Sequence, residues 1–226
     1  MAYAGMVFDF NGVLWWDAPL IEEGWQRSAQ QLRGRPFSAE ELAQIVHGRT
    51  NRSTLEYLVG HRLGEEELRR MIDEREAFYR GLCLDQGENF RLSPGAVDLL
   101  GYLRARGIPR TIATASDRTN VDFFVRQLEL AQWFDSGKIV YDDFVRPGKP
   151  APDVYLQAAA NIGLAPECCV VVEDSLSGIR SARAAGIGHI VGLTSSLSVE
   201  VLIRGGADAA AENLGRIDRE QLFCGK

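Results

Sequence analysis

Cysteine and histidine are scarce in this 226-residue chain, and neither is spaced as a zinc site requires. The four cysteines contain no C-x-x-C pair, and the three histidines contain no H-E-x-x-H sequence or i,i+4 pair. Cys168 and Cys169 are adjacent and precede three valines. We therefore expect both thiols to be reduced and buried, one on each face of a strand, in preference to a redox pair.

Long apolar runs and a basic leader are also absent. No run approaches the roughly 18–20 apolar residues of a membrane span, and residues 1–14 lack the Lys or Arg of a secretion signal. We therefore expect a cytoplasmic protein that binds no membrane. The formal charge of −6 disfavours a surface that binds nucleic acid. The sequence G-x-x-x-x-G-K-[ST] is missing, which excludes a P-loop.

The length and the apolar pattern of the chain predict two domains. A chain of 226 residues exceeds the usual size of one domain. Residues 19–84 have helical patterns only, and two capping boxes occur there, Ser38 with Glu41 and Ser53 with Glu56. Elsewhere, short apolar strands alternate with helical patterns. This alternation indicates βαβ units.

We therefore predict an α/β fold with a doubly wound, mainly parallel sheet and an α-helical cap domain inserted after the first strand. The core would comprise residues 1–16 and 86–226, and the cap residues 17–85. Ligands of such sheets bind outside the carboxyl ends of the strands. The polar residues at these ends are therefore the site candidates: Asp9, Thr114, Glu173 and Asp174.

Four separated segments carry these polar groups. In chain order their residues are Asp9 and Asn11, then Thr114, Ala115 and Ser116, then Lys149 in a Gly-Lys-Pro-Ala-Pro-Asp sequence, then Glu173 and Asp174. In this order, with a helical region after the first, they resemble the four motifs of the haloacid dehalogenase superfamily. The third and fourth are most similar to the branch of β-phosphoglucomutases and phosphoglycolate phosphatases.

The resemblance implies a Mg²⁺-dependent phosphohydrolase of small phosphorylated metabolites. Phosphoryl transfer needs a nucleophile, neutralised charge and in-line positioning, and a carboxylate can supply the nucleophile. By the family pattern, Asp9 becomes an aspartyl-phosphate, Thr114 donates to the phosphoryl oxygens, and Lys149 keeps Asp9 ionised at neutral pH. The Mg²⁺ ligands would be the carboxylates of Asp9 and Asp174 and the backbone carbonyl of Asn11, with Glu173 behind them or joined through water.

Asn11 stands where the family's phosphatases and mutases have an Asp. That Asp protonates the leaving oxygen and then deprotonates the attacking water, and an amide does neither. General acid–base catalysis contributes about 10²–10⁴ in rate, so we expect slow turnover. A non-catalytic protein that binds phosphate and Mg²⁺ is the alternative. Three origins of Asn11 stay open: a natural residue, which we favour, an engineered substitution, and partial deamidation next to Gly12.

Substrate selection is expected to involve the cap. Residues 47–53 occupy the place where related proteins have a loop that faces the active site. Arg49 and Arg52 suit a second anionic group of the substrate, with Asn51 between them, and solvated charges around a helix cap are an equally good interpretation. On the core side, Ala115 and Ser116 are expected to contact the phosphate. The expected partner is a small phosphorylated metabolite, and both a monomer and a homodimer are compatible with the sequence.

Overall fold

The computed structural model describes residues 2–46 and 50–224, without the side chains of residues 43 and 44. The chain forms two compact units. One comprises the residues up to Trp16 together with those from Arg91 onward, and the other comprises Asp17–Phe90. The second boundary therefore falls after Phe90, five residues beyond the predicted one at 85.

A six-stranded sheet lies at the centre of the first unit. Its strands are β1 (Gly5–Phe8), β2 (Arg110–Asp117), β3 (Val140–Asp142), β4 (Cys169–Glu173), β5 (His189–Leu193) and β6 (Ala209–Ala211). The spatial order is β3-β2-β1-β4-β5-β6, and every neighbouring pair is parallel. The α/β fold with a doubly wound parallel sheet is confirmed. The strand order reverses between β1 and β4, which is where such sheets bind ligands.

Helices pack on the sheet because its strands are apolar on both faces. β1 and β4 are buried along their whole length, as expected for parallel strands covered by helices. In one core cluster, Val7, Val171 and Ile190 of adjacent strands pack with Tyr155 and Ile179. The helices of this unit are α5 (Ala96–Ala105), α6 (Arg118–Gln127), α7 (Asp153–Asn161), α8 (Leu176–Ala184), α9 (Val199–Gly205) and α10 (Arg219–Phe223).

The second unit contains helices joined by short loops and no strand among its described residues. Its helices are α1 (Ala18–Arg33), α2 (Ala39–Glu41), which continues into a π-helical turn (Leu42–Val46), α3 (Asn51–Val59) and α4 (Glu65–Asp85). Trp25, Ala29, Leu55 and Ile72 form part of its own buried apolar cluster. This unit therefore has a core separate from that of the sheet.

One of the two predicted capping boxes is present. The hydroxyl of Ser38 accepts a hydrogen bond from the Glu41 backbone N–H at 3.1 Å, and the Glu41 carboxylate accepts one from the Ser38 N–H at 2.8 Å. The box predicted at Ser53 is wrong. The N-cap of α3 is Thr50, three residues before Ser53, because the extended backbone of Thr50 lets its hydroxyl accept from the Ser53 N–H at 3.3 Å.

Ser93 joins the two chain segments that lead into and out of the helical unit. Its N–H donates to the Leu14 carbonyl at 2.8 Å, and its hydroxyl donates to the Val13 carbonyl at 2.6 Å. Ser93 is buried. Both partners belong to the sheet-containing unit, so these two hydrogen bonds close the gap that the insertion leaves in that unit.

Cys168 and Cys169 lie in different environments, so the prediction that both are buried on a strand is wrong for Cys168. Pro166 begins a 3₁₀ turn that ends at Cys168, and the strand begins one residue later. Cys168 is exposed and Cys169 is buried, and both are free thiols. Within the described part of the chain, no helix combines the length and the apolar content that crossing a bilayer would demand.

Candidate active site

Asp9 follows the last residue of the central strand β1, at the point where the strand order reverses. Its backbone N–H donates to the Val172 carbonyl of β4 at 3.0 Å, which continues the ladder one residue beyond β1. The residue is 8% exposed. Glu173 and Asp174 follow Val172, so the fold brings the first and fourth sequence segments to one edge of the sheet.

Lys149 joins two of these carboxylates. Its ammonium lies 2.7 Å from Oδ1 of Asp9 and 2.5 Å from Oε1 of Glu173, and it also donates to the Ala113 carbonyl at 3.2 Å. The three side chains are almost completely buried, with Lys149 8% and Glu173 0% exposed. The third sequence segment therefore supplies the cation that the first and fourth segments share.

Glu173 is the most strongly held group of the site. Its Oε1 accepts from Lys149 and from the Tyr155 hydroxyl, and its Oε2 accepts from the backbone N–H groups of Asp174 and Ser175 and from the Ser175 hydroxyl. Gly178 of α8 leaves the necessary room, because a Cβ there would lie 1.7 Å from Oε1. Glu173 is therefore oriented toward Lys149 by its own surroundings.

The pKa values of the two carboxyl groups that share Lys149 are shifted in opposite directions. Burial raises the pKa of Asp9 to about 7, with the charge of Glu173 adding to the effect and Lys149 opposing it. Burial also disfavours the charged form of Glu173, but Lys149, Tyr155 and the Ser175 N–H outweigh it and lower the pKa of Glu173. Burial thus opposes, in the metal-free site, the ionised form of Asp9 that Lys149 favours, and the expectation that Lys149 holds Asp9 ionised at neutral pH stays a prediction.

The Asn11–Gly12 turn brings the backbone close to Asp174. Gly12 has a φ of +75°, in the left-handed region that favours glycine, and its N–H donates to the Trp15 carbonyl at 2.7 Å. A Cβ at this position would lie 2.0 Å from Oδ2 of Asp174. Glycine is thus required at position 12 by backbone conformation and by the space that the Asp174 carboxylate fills.

The second sequence segment contacts the first through Ser116. The Ser116 hydroxyl donates to Oδ1 of Asn11 at 2.9 Å, and its backbone N–H donates to the Thr114 hydroxyl at 3.0 Å. Thr114 is buried and Ala115 is exposed. The orientation of the Asn11 amide is therefore fixed by a hydroxyl from β2.

A fifth segment, absent from the sequence prediction, also reaches the site. It is the loop of residues 194–198 after β5. Its Ser195 hydroxyl donates to the Gly12 carbonyl at 2.6 Å, and its Ser196 hydroxyl donates to Oδ2 of Asp174 at 2.9 Å. The available signal was its position, since polar residues at the carboxyl end of a core strand are site candidates.

The predicted substrate-binding residues of the helical unit are held by acids of that same unit. The Asn51 amide donates to Oε1 of Glu76 at 3.0 Å. The Arg52 guanidinium lies 2.7 Å from Glu65 and 3.6 Å from Glu56. Arg49 lies outside the described residues. A substrate-binding role for these three residues stays a prediction.

The carboxylates of Asp9, Glu173 and Asp174 form a donor set that suits a hard divalent cation. One ligand atom from each lies within 4.8 Å of the others. Mg²⁺ and Ca²⁺ prefer oxygen donors of this kind. Three buried carboxylates exceed the single charge of Lys149, so a cation would relieve the excess of negative charge. The residues present therefore fit a Mg²⁺ ion.

Comparison with known proteins agrees with this geometry. The family model of haloacid dehalogenase-like hydrolases matches residues 3–186. The phosphorylated carbohydrates phosphatase of Thermotoga maritima is 31% identical over 209 residues, 90% of this chain and 92% of that protein. Hexitol phosphatase A of Escherichia coli is 31% identical over 199 residues, 86% of this chain and 85% of that protein.

Similarity extends to solved structures. The crystal structure of a HAD hydrolase, family IA, variant 3, from Entamoeba histolytica superposes with a TM-score of 0.90 and 36% identity. The superposition covers 99% of this chain and 98% of that one. The resemblance drawn from the four sequence segments is thus confirmed at the level of the superfamily.

Proposed function

Because this chain belongs to the haloacid dehalogenase-like hydrolases, we propose that it is a Mg²⁺-dependent phosphohydrolase that acts through an aspartyl-phosphate on Asp9. The observation that carries the proposal is the position of Asp9 at the switch point of the sheet, with Lys149 2.7 Å away. Two relatives named as phosphatases of phosphorylated carbohydrates and of hexitols support a small phosphorylated sugar or polyol as the substrate class.

The carboxylates of Asp9 and Asp174 and the backbone carbonyl of Asn11 would hold the Mg²⁺ ion. When bound, the ion would neutralise charge between the nucleophile and the phosphoryl group. Glu173 is assigned to orienting Lys149, because both of its oxygens already accept hydrogen bonds from the protein. This assignment agrees with its expected place behind the ligands.

The chain's own groups perform two displacements. In the first, an oxygen of Asp9 forms a bond to phosphorus while the bond from phosphorus to the leaving oxygen breaks. Lys149 pairs with the nucleophile, and the Thr114 hydroxyl lies at the neighbouring strand end to bind a phosphoryl oxygen. The Ser116 hydroxyl, which donates to Asn11 in the structure, would have to turn from it to do the same. In the second, an oxygen of water forms a bond to phosphorus while the bond from phosphorus to the Asp9 oxygen breaks. The Asp9 carboxylate and inorganic phosphate are released, and the proton of the water leaves with the phosphate or to solvent.

Asn11 makes both displacements slow. Its amide has no proton of suitable acidity for the leaving oxygen and no basic atom for the attacking water. Acyl and aryl phosphates are affected least, because their leaving groups depart as stable anions. Alkyl phosphates are affected most. The phosphorylated form of Asp9 is expected to accumulate, since its hydrolysis lacks a base.

The test compares the native chain with Asn11→Asp and Asp9→Asn on acyl, aryl and alkyl phosphates, with Mg²⁺ or with a chelator. The native chain should hydrolyse acyl and aryl phosphates slowly and only with Mg²⁺. Asn11→Asp should raise alkyl phosphate hydrolysis by about 10²–10⁴-fold, and Asp9→Asn should abolish all turnover. Asn89→Asp, at an exposed position of the helical unit, controls for the added charge.

Two results would contradict the proposal: rapid alkyl phosphate hydrolysis by the native chain, or retained activity in Asp9→Asn. Intact mass after incubation with acetyl phosphate adds a second readout, the phosphate adduct on Asp9.

A non-catalytic role is the second candidate, and Asn11 is the observation that favours it. A protein of this kind would bind Mg²⁺ and phosphate through Asp9, Asp174 and Lys149 without turnover. The absence of hydrolysis in both the native chain and Asn11→Asp, together with measurable Mg²⁺ and phosphate binding, would support this role. Restored turnover in Asn11→Asp would instead assign the slow rate to the amide.

A further inference from the structure

The loop of residues 194–198 supplies two hydroxyl groups to the candidate active site. Ser195 donates to the Gly12 carbonyl at 2.6 Å, and Ser196 donates to Oδ2 of Asp174 at 2.9 Å. The loop is anchored where it leaves β5, because the Thr194 N–H donates to the Ala211 carbonyl of β6 at 3.0 Å. Neither serine belongs to the four sequence segments that define the site.

The Asp174 carboxylate and the Gly12 backbone lie in close contact, and each of the two hydroxyls binds one of them. Oδ2 of Asp174 lies in the space that a Cβ on Gly12 would occupy. Ser196 fixes the carboxylate on one side of this contact, and Ser195 fixes the backbone of Gly12 on the other. The peptide carbonyl of Asn11 is bonded to the Gly12 nitrogen, so any movement of Gly12 also moves this carbonyl.

We propose that Ser195 and Ser196 are positioning residues for the divalent cation. The bond from Ser196 would fix the rotation of the Asp174 carboxylate, and the bond from Ser195 would fix the position of the Asn11–Gly12 backbone. The Asp174 carboxylate and the Asn11 carbonyl would then be oriented toward the same cation. The inference rests on the proposed function, since it assumes that Asp174 and the Asn11 carbonyl bind the cation. Groups that orient metal ligands typically contribute 10–100-fold to metal affinity.

Ser198, in the same loop, is a hydroxyl residue that contacts neither Gly12 nor Asp174 in the hydrogen bonds described, so it can serve as a control. The Ser198 hydroxyl accepts from the Val201 N–H and caps α9. Removing it weakens the start of α9 and leaves the bonds to Gly12 and Asp174 in place. Ser198→Ala is therefore a matched control for loss of a hydroxyl from the same loop.

The experiment measures Mg²⁺ affinity by isothermal titration calorimetry, and Mn²⁺ affinity by electron paramagnetic resonance, in the absence of substrate. Ser196→Ala and Ser195→Ala should each weaken binding by about 10-fold or more. Ser196→Thr keeps a hydroxyl and should lose much less affinity than Ser196→Ala. Ser198→Ala should lower the thermal midpoint and leave the dissociation constants unchanged. Circular dichroism establishes that each variant is folded.

The outcomes separate the inference from the proposed function. Native chain that binds neither Mg²⁺ nor Mn²⁺ would overturn the proposed function itself. If the native chain binds the cation and Ser195→Ala and Ser196→Ala bind it with the same affinity, only the positioning role would be overturned. Equal weakening in Ser196→Ala and Ser198→Ala would also overturn it, because the effect would then follow from a loosened loop.

Discussion

The ammonium of Lys149 lies 2.7 Å from Oδ1 of Asp9, yet burial raises the pKa of that carboxyl group to about 7 in the metal-free site. A second carboxylate, that of Glu173, adds to the effect of burial. Glu173 lies 2.5 Å from the same ammonium, and it also accepts hydrogen bonds from the Tyr155 hydroxyl and from two backbone N–H groups. Both carboxylates are buried, and the one with more hydrogen bonds, Glu173, has the lowered pKa, whereas burial dominates at Asp9 and raises its pKa.

The first prediction concerns the pH dependence of stability in metal-free protein. The pKa of Asp9 rises from 3.8 to about 7 on folding, so its stabilising effect is complete below pH 3.8 and is lost as the pH rises through 7. Asp9→Asn stays neutral and should therefore gain stability relative to the native chain between about pH 4 and about pH 8. Urea unfolding at several pH values, with a chelator present, measures the difference.

Glu173→Gln is the matched comparison and should behave in the opposite sense. The pKa of Glu173 falls on folding from 4.5, so its stabilising effect is present above pH 4.5 and is lost on acidification. The variant should be most destabilised at neutral pH and least at low pH. Parallel stability profiles for the two variants would contradict the unequal sharing of Lys149.

Gly178 provides a prediction about packing. Gly178→Ala would place a methyl group 1.7 Å from Oε1 of Glu173 and displace a carboxylate that has five hydrogen bonds. We expect a loss of about 1–3 kcal/mol in the free energy of unfolding, together with lower phosphatase activity.

Gly101 is the control for Gly178. It also lies within a helix, α5, and a Cβ there would meet nothing within 4 Å. Gly101→Ala should stabilise the protein by about 0.5–1 kcal/mol through helix propensity. If the two substitutions had equal effects on chemical denaturation, the space beside Glu173 would not be the reason for glycine at 178.

The cysteines should differ in reactivity toward iodoacetamide. Cys168 and Cys224 are exposed, whereas Cys83 and Cys169 are buried. Burial, with smaller effects from Cys168 and Glu167, raises the pKa of Cys169 to about 11, so its reactive thiolate is scarce at pH 8. Peptide mass spectrometry should find Cys168 and Cys224 labelled first. In Cys168→Ser, Cys169 should stay unmodified until denaturant is added, and rapid labelling there would contradict its burial.

Asn11 should resist deamidation in the folded protein. The reaction requires the Gly12 nitrogen to attack the Asn11 side-chain carbonyl. That nitrogen donates to the Trp15 carbonyl at 2.7 Å, and the Asn11 oxygen accepts from Ser116 at 2.9 Å. Intact mass should therefore stay constant during prolonged incubation near neutral pH, while a synthetic peptide spanning the same turn gains the mass of the acid. Equal rates would contradict protection by the fold.

The sequence predicted the elements of the site better than the contacts between them. Asp9 and Asp174 could be placed at one edge because apolar strands end at known residues and parallel strands share an orientation. The sharing of Lys149 depends on the distance between three segments, which no local pattern encodes. Ser195 and Gly12 are 183 positions apart in the sequence. They meet only because the sheet brings the carboxyl ends of β1 and β5 to the same edge.

Local signals failed where a competing group was nearby. The box at Ser53 matched the pattern in full, yet Thr50 lies three residues earlier and takes the Ser53 N–H. Cys168 was assigned to a strand on the strength of the valines that follow, whereas Pro166 had already begun a 3₁₀ turn. In both cases two nearby residues favour different starting points for the element, and the sequence pattern does not show which of them prevails.

The hydrogen bonds from Ser93 to Val13 and Leu14 have a consequence for how this architecture could diversify. The chain segments before and after the helical insert are joined by these two hydrogen bonds. The strands that precede and follow the insert, β1 and β2, are neighbours in the sheet. Exchanging the insert for a longer, shorter or unrelated module would not require rethreading of any strand. The sheet-containing unit that holds Asp9, Lys149 and Asp174 would keep its own fold through such an exchange, because the insert is joined to it only between Trp16 and Asp17 and between Phe90 and Arg91.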